Sequence, residues 1–441
     1  MGREGGGLAT QAVGAHAGRW LPAAATTLAA GWLLLRGMSS HADDATAVGL
    51  GMAFLARGAA LGRTLHRRNV AVAGLLLLGT LVAARAGFGD ASRLLVIASG
   101  FALARSAPPP PRADPVQRRR VEQLVAQTPR DPLAPFAQRT DKSYVFDPTA
   151  RAAVAYRVRF GTAVASGDPV GDPVAGDEAV ESFLAHAAER GWRVAVLGTA
   201  RPGRWEGVAD RAVPIGRDVV LDVTRFALVG RRFRNLRQAV QRTRNCGVTT
   251  VVVTEADLTA GQRDALMRFM QATRGVHPRG FSMILDRPLE STPPGTVLAM
   301  AHDRDGRLVA VHRFAASDGG REVSLDLPWR ARDAPNGVDE RLAVDMVAWA
   351  CEHGGQRVSL AFAGFADLFA RNDGPWPIRA ARSGVRLLDG FIQLGPLYRY
   401  LRKFHAFGAR RYVVFVPAQI VWVGLAMLTL EFARTHSRRR P

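Results

Sequence analysis

Residues 321–350 read REVSLDLPWRARDAPNGVDERLAVDMVAWA, and their order of strand, turn and helix decides the fold class. The run 321–327 alternates apolar with polar residues and predicts a strand. Asn336 and Gly337 suit a turn, and a helix is predicted over 336–353. Asp339 and Glu340 fall in its first turn, where the helix dipole favours negative charge. The same alternation recurs on both sides. Strands are predicted at 151–159 (RAAVAYRVR), 192–198, 217–223, 248–254, 296–302 and 307–315, and helices at 176–190, 230–245, 258–273 and 396–405. Strands and helices alternate twice over with a seam near 255. The reading is therefore two α/β (α+β) halves, 131–255 and 256–416.

Residues 1–105 differ in kind. Four apolar blocks, 20–35, 45–61, 69–84 and 92–105, are separated by short charged loops, which predicts about four transmembrane helices. Arg63, His66, Arg67 and Arg68 follow the second block, and Arg105, Arg112 and Arg118 to Arg120 follow the fourth. Positive charge marks the cytosolic side, so everything beyond residue 105 is expected to face the cytosol of a multi-pass cell-membrane protein. Pro108 to Pro111 begin a linker, 106–130, that cannot continue a helix. The run 412–430 is apolar, but Arg434 and Arg438 to Arg440 follow it. Residues 412–441 are therefore expected to form a helix lying on the membrane, with a basic tail.

The 441 residues carry a formal charge of +21, almost wholly as arginine, since Lys142 and Lys403 are the only lysines. An excess of that size points to a polyanionic neighbour, either nucleic acid or anionic lipid. Cys246 and Cys351 stand far apart without metal-ligand spacing, so neither a disulfide framework nor a zinc site is indicated. No cofactor is indicated either. The nearest approach to a coenzyme A loop, Arg244 to Thr249, ends a helix instead of starting one. No Walker loop or Gly-x-Ser-x-Gly elbow occurs in the part after the linker.

Three segments are candidates for chemistry. SGDPVGDP (166–173) holds two Gly-Asp-Pro turns directly after a strand, where Asp168 either caps the turn or accepts a proton. RRFRNLRQAVQRTR (231–244) places six arginines, among them Arg234, Arg237 and Arg242, on one helix with Phe233, Leu236 and Val240 inward. Guanidinium forks suit phosphate oxygens of a lipid headgroup or an RNA backbone, although a solvated face is the plainer alternative. The third is the Asn336 turn with its capping acids.

Taken in order, these pieces resemble the synthase region of the phosphatidylglycerol lysyltransferase family, the synthase half of the multiple peptide resistance factor. The resemblance runs from about 116 to 416. It includes DPLAPFAQRTDKSYVF (131–146), SGDPVGDP, the arginine helix, RGFSM (279–283), LVAVHRF (308–314), VSLDLPWR (323–330), APNG (334–337) and LYRYLRKFHAFGARRY (397–412). It implies a tandem GNAT-like acyltransferase fold behind the transmembrane helices. It also implies transfer of an amino acid, lysine or another, from aminoacyl-tRNA to phosphatidylglycerol at the cytosolic face, lowering the negative surface charge. The aminoacyl ester is already activated, so placement, a proton acceptor and oxyanion stabilisation suffice.

By position in the matched motifs, Asp168 or Asp326 is expected to accept the proton or bind the amine, with Asn336 and Glu340 beside them. Arg234, Arg237, Arg242, Arg402 and Lys403 are expected to hold phosphate. Two departures stand out. Glu340 takes the place of an aspartate, and SLAFAGFAD (359–367) stands where the family has Asn-Leu-Gly-Met-Ala-Pro-Leu-Ser-Gly. These leave open transfer to another lipid or small acceptor, or a non-catalytic protein that binds lipid or RNA. The short membrane part excludes lipid flipping from the expected activities.

Overall fold

The computed structural model describes residues 67–103, 106–209, 212–273, 284–286, 288–289, 292–364 and 394–432. The first two apolar blocks, RGFSM, residues 365–367 and the arginines after 433 lie outside these. The chain divides into two compact units, one of residues 1–110, 158–163 and 183–194, the other of 111–157, 164–182 and 195–441.

In the smaller unit, α1 (Arg67–Arg85) and α2 (Gly89–Leu103) pack against each other around a turn at Gly87. They coincide with the third and fourth apolar blocks. Among the described residues no helix is long and apolar enough to cross a membrane. As described, α2 has 15 residues, a rise of about 22 Å against a hydrocarbon core of about 30 Å. In α1 the charged pair Arg67–Arg68 and Arg85 bracket an apolar stretch of similar length. Leu75, Leu78, Val82 and Leu94 are exposed. Farther along this unit, the Trp192 indole N–H donates to the Ala107 carbonyl at 2.8 Å.

The larger unit opens with α3 (Pro115–Ala126), capped by Asp114. The strands are β1 (Ser143–Phe146), β2 (Ala152–Arg159), β3 (Thr162–Ser166), β4 (Val170–Gly171), β5 (Arg193–Thr199), β6 (Ala212–Asp222), β7 (Thr249–Thr254), β8 (Val297–His302), β9 (Leu308–Ser317), β10 (Glu322–Arg330), β11 (Arg357–Gly364) and β12 (Phe407–Phe415). The helices between them are α4 (Gly176–Glu189), whose residues 183–189 fall in the smaller unit, α5 (Arg234–Asn245), α6 (Ala260–Ala272), α7 (Val338–Glu352) and α8 (Leu394–Arg402), with α9 (Ile420–Phe432) after β12.

One mixed sheet runs β1-β2-β3-β5-β12-β6-β11-β10-β9-β8-β7, with β4 on β2. β7, expected in the first half, pairs antiparallel with β8 of the second. β12, near the end of the chain, lies between β5 and β6 of the first. β10 and β11 pair in parallel, with α7 as the crossover that such a pair requires.

Strand alternation distributes the core. β8 sends Val297, Ala299 and Ala301 to the face covered by α5 and α7, where Leu236, Leu342 and Met346 are buried. It sends Leu298 and Met300 to the opposite face, against Leu266 and Phe269 of α6. Each buried Val, Leu, Met or Phe among them contributes roughly 1.5–3 kcal/mol, and each alanine less.

The C-terminal run corrects the sequence reading. Residues 412–430 are not one helix: Tyr412 to Phe415 close β12, Pro417 interrupts, and only then does α9 start. The β-branched and aromatic run Tyr-Val-Val-Phe favours a strand beside β6 over a helical start. Ala426 and Leu430 of α9 pack on Val164, Leu197 and Val413 and Val423 is buried as well, leaving Ile420, Val421 and Leu428 exposed.

Candidate active site

Three charged clusters in the larger unit hold the acidic residues that the sequence singled out, and they are separate from one another.

The first surrounds Asp168. Its carboxylate accepts hydrogen bonds from the Thr199 hydroxyl and, at 2.8 Å, from the Ala200 amide. Arg411, only 1% exposed, stands 3.8 Å away and is engaged by Asp131 at 2.7 Å and Asp218 at 2.9 Å. Burial, then the neighbouring charge of Asp131, raises the pKa of Asp168. Burial likewise raises that of Asp218, against the pull of Arg411. With both oxygens held, Asp168 fastens the turn after β3 to the end of β5.

The second cluster is a fully buried triad. Arg313 on β9 donates to Glu255 at 2.6 Å and to Asp326 at 3.1 Å, and all three side chains have no exposure. Asp326 also accepts from the Leu285 amide at 2.8 Å, while Glu255 receives the Leu289 amide and the Thr292 hydroxyl. The register of β10 on β9 shifts between Leu325 and Leu327, so Asp326 sits in an irregularity of the ladder. Such bulges re-aim side chains. Burial pushes the Asp326 carboxyl up to about 6 even though Arg313 opposes the shift.

The third cluster forms at the start of α7. Gly337 has φ 101°, and a Cβ there would lie 2.6 Å from the Ala239 carbonyl oxygen of α5. Glycine both permits the left-handed turn and lets the two helices approach. Arg330, at the end of β10, donates to Ala334 O at 2.9 Å and Asn336 Oδ1 at 3.2 Å, and pairs with Asp339 at 3.3 Å. The same carboxylate accepts from His312 Nε2 at 3.1 Å, whose Nδ1 is buried without a hydrogen-bond partner among the described residues. Glu340 pairs with Lys403 at 2.5 Å, and the Tyr400 hydroxyl donates to the Asp339 carbonyl at 3.3 Å. Burial works to raise the Asp339 carboxyl, but His312 and Arg330 outweigh it and hold the group below its usual range. Burial, then Asp339 and Glu340, raise the Tyr400 hydroxyl well above normal.

The corner thus joins Asn336, Glu340 and Lys403 of the expected set, together with Asp339, His312, Arg330 and Tyr400. It combines two carboxylates, an ammonium and an amide at a helix start. Asp168 and Asp326 belong to the other two clusters.

The basic segments are neighbours. Phe233, just before α5, and Leu236 within it share a core with Leu401 and Phe404, and the His405 ring meets Phe233 edge-on at 5.7 Å. Arg234, Arg242 and Arg402 are exposed. Arg237 differs, because it donates to the carbonyls of Leu228 and Gly230 at 2.9 and 2.8 Å. It braces the loop before α5. Sequence reasoning passed over Arg313 and Arg411; their signal is an arginine within an apolar strand run, VAVHRFAA and ARRYVVF, where an unpaired charge is untenable.

Residues 122–415 match the family described as phosphatidylglycerol lysyltransferase, C-terminal. An MprF-like domain protein of Mycobacterium tuberculosis is 44% identical over 439 residues, 95% of this chain and 90% of the relative. The bifunctional lysylphosphatidylglycerol biosynthesis protein LysX of Rhodococcus jostii is 34% identical over 68% of this chain, which spans 28% of that longer protein. Two solved structures share the fold, each with a TM-score of 0.61. One is a C-terminal domain assigned to a lysylphosphatidylglycerol synthetase of Agrobacterium fabrum, at 22% identity, covering 73% of this chain and 99% of that one. The other, L-PGS from Bacillus licheniformis, is at 18% identity and covers 72% and 95%. The chain belongs to the phosphatidylglycerol lysyltransferase family, of which residues 122–415 are the C-terminal, aminoacyltransferase region.

Proposed function

We propose that this chain transfers an aminoacyl group from aminoacyl-tRNA to a hydroxyl of phosphatidylglycerol at the cytosolic membrane face, and that the α7 corner is where it does so. The observation that carries the reading is the Glu340–Lys403 pair beside Asn336 at the start of α7, in a chain of this family.

The chemistry is a transesterification. The lipid hydroxyl oxygen bonds to the aminoacyl carbonyl carbon, the bond to the tRNA ribose oxygen breaks, and the lipid proton passes to that oxygen. Glu340 is the proton carrier at this corner, and the Lys403 ammonium and Asn336 amide offset charge on the carbonyl oxygen. Asp326, held by Arg313 on the adjoining strand, and Asp168, held beside Arg411, fix the scaffold around the substrates. Arg234, Arg242 and Arg402 meet phosphates, and Arg237 keeps their loop in place. The two strand groups, exchanging β12, act as GNAT-like halves. Exposed apolar side chains of α1, α2 and α9, with the large positive charge, favour attachment to an anionic bilayer.

The test is mass spectrometry of lipids from a host lacking such enzymes, with and without the chain. A phosphatidylglycerol species heavier by one aminoacyl unit supports the reading and identifies the amino acid. One observation favours a second acceptor: residues 359–364 read SLAFAG where the family has Asn-Leu-Gly-Met-Ala-Pro. An aminoacylated lipid other than phosphatidylglycerol in the same spectra selects that alternative.

A further inference from the structure

Next to the α7 corner, with which it shares Arg330, the larger unit holds a cleft of about 880 Å³ between α6, the β8–β9 turn and the segment after β10. Arg268, Arg307, Arg330 and Arg332 line it, and Asp333 is the single acid among the lining residues. Arg307 is neutralised by Asp303 at 3.0 Å and Asp333 at 2.7 Å. Arg330 is committed in part to Asp339. Arg268 and Arg332 are exposed, and neither has an ion pair or hydrogen bond among the described residues. Two uncompensated guanidinium groups therefore face one cavity, whose floor includes Phe269 and Leu308. Either group can take an anion that enters the cleft.

We propose that this cleft is an accessory binding site for an organic phosphate ester, gripped by Arg268 and Arg332. Paired arginines match phosphate oxygens through their planar forks, better than single ammonium groups do. The apolar floor suits the carbon skeleton of an ester, and the volume falls in the range of small-ligand sites. Because Arg330 lines the cleft and also donates to Asn336 and Asp339, an occupant is felt at the start of α7. The site is separate from the Glu340–Lys403 pair, and its existence does not depend on the transfer reaction.

The test uses the full chain and the double variant R268A/R332A, whose changes lie at the surface and leave every buried cluster intact. Binding of sn-glycerol 3-phosphate is followed by calorimetry, and binding to vesicles of phosphatidylglycerol in phosphatidylcholine by co-sedimentation. A loss of about tenfold or more with the soluble ester supports the proposal and makes the ligand a free ester. Such a loss with vesicles alone supports it with a lipid headgroup as the source. Equal binding of both probes by both proteins overturns it. So does a loss seen only with a short RNA, which assigns the arginines to a nucleic-acid backbone. Lipid transfer measured in parallel keeps this outcome distinct from the fate of the proposed reaction.

Discussion

Glu340, in the first turn of α7, and Lys403, one residue beyond α8, form an ion pair in which the carboxylate side chain is 8% exposed and the ammonium side chain 39%. Most of the cost of breaking the pair falls on the glutamate, which has little water to turn to. Lys403→Met is expected to lower stability by about 1–3 kcal/mol, the modest end reflecting the exposed lysine. Transfer should fall at least about tenfold. The double variant E340Q/K403M should regain stability without regaining transfer, as urea unfolding and lipid product together would register. Full transfer by Lys403→Met would remove the pair from the chemistry.

Asp326 gives a pH signature. Its carboxyl ionises at about 6 when folded, against 3.8 as the ordinary value. A carboxyl raised in this way contributes stability while protonated, and the contribution is lost as pH rises from about 4 through about 6. Asp326→Asn has no such titration. The stability gap between wild type and variant should therefore be larger near pH 4.5 than near pH 7. A gap that is flat, or that widens with pH, would show that the triad holds Asp326 ionised throughout.

Gly337 couples two helices. Adding one methyl group by Gly337→Ala imposes a left-handed φ on alanine and drives its Cβ to 2.6 Å from the Ala239 carbonyl oxygen. The expected loss is about 1–3 kcal/mol in chemical denaturation. Hydrogen exchange should quicken in both α5 and α7, because the obstruction lies between them. Protection unchanged in α5 would mean that α7 moves alone.

The exposed arginines predict a salt effect. If Arg234 and Arg242 each meet a tRNA phosphate, the slope of log binding constant against log salt should fall by about 1–2 in the double alanine variant. Arg237→Ala is a useful contrast, since that side chain is spent on Leu228 and Gly230. Its loss should reduce stability more than it changes the slope. Fluorescence titration of tRNA across salt concentrations separates the two.

Local pattern carried most of the secondary structure. The strand at 151–159 and the helix at 336–353 emerge within a residue or two, and the helix at 230–245 ends where expected but starts at Arg234, because alternation and helical spacing are written in neighbouring residues. β1, β3, β4, β11 and β12 were not among the expected strands. TAVAS is short, and its buried alanines carry little signal. The grouping of site residues was legible only in part. Asn336 and Glu340 are close in sequence and stay together, whereas Lys403 reaches them across 63 residues through the packing of α8. Asp168 and Asp326 looked alike as carboxylates in matched motifs. Their partners, Arg411 and Arg313, come from distant strands, and only the register of the sheet reveals that both acids are already occupied.

The insertion of β12 between β5 and β6 bears on how the protein is made. A chain emerging from the ribosome has completed β5 and β6 long before residues 407–415 exist, and these two strands cannot close against each other without the third. Until residues 407–415 have been made, the middle of the future sheet presents two open edges, the feature that invites pairing with other chains. β12 is thus the keystone of the first half. The region is a single biosynthetic unit that cannot be cut into two independently produced halves, however clearly its sequence alternates twice.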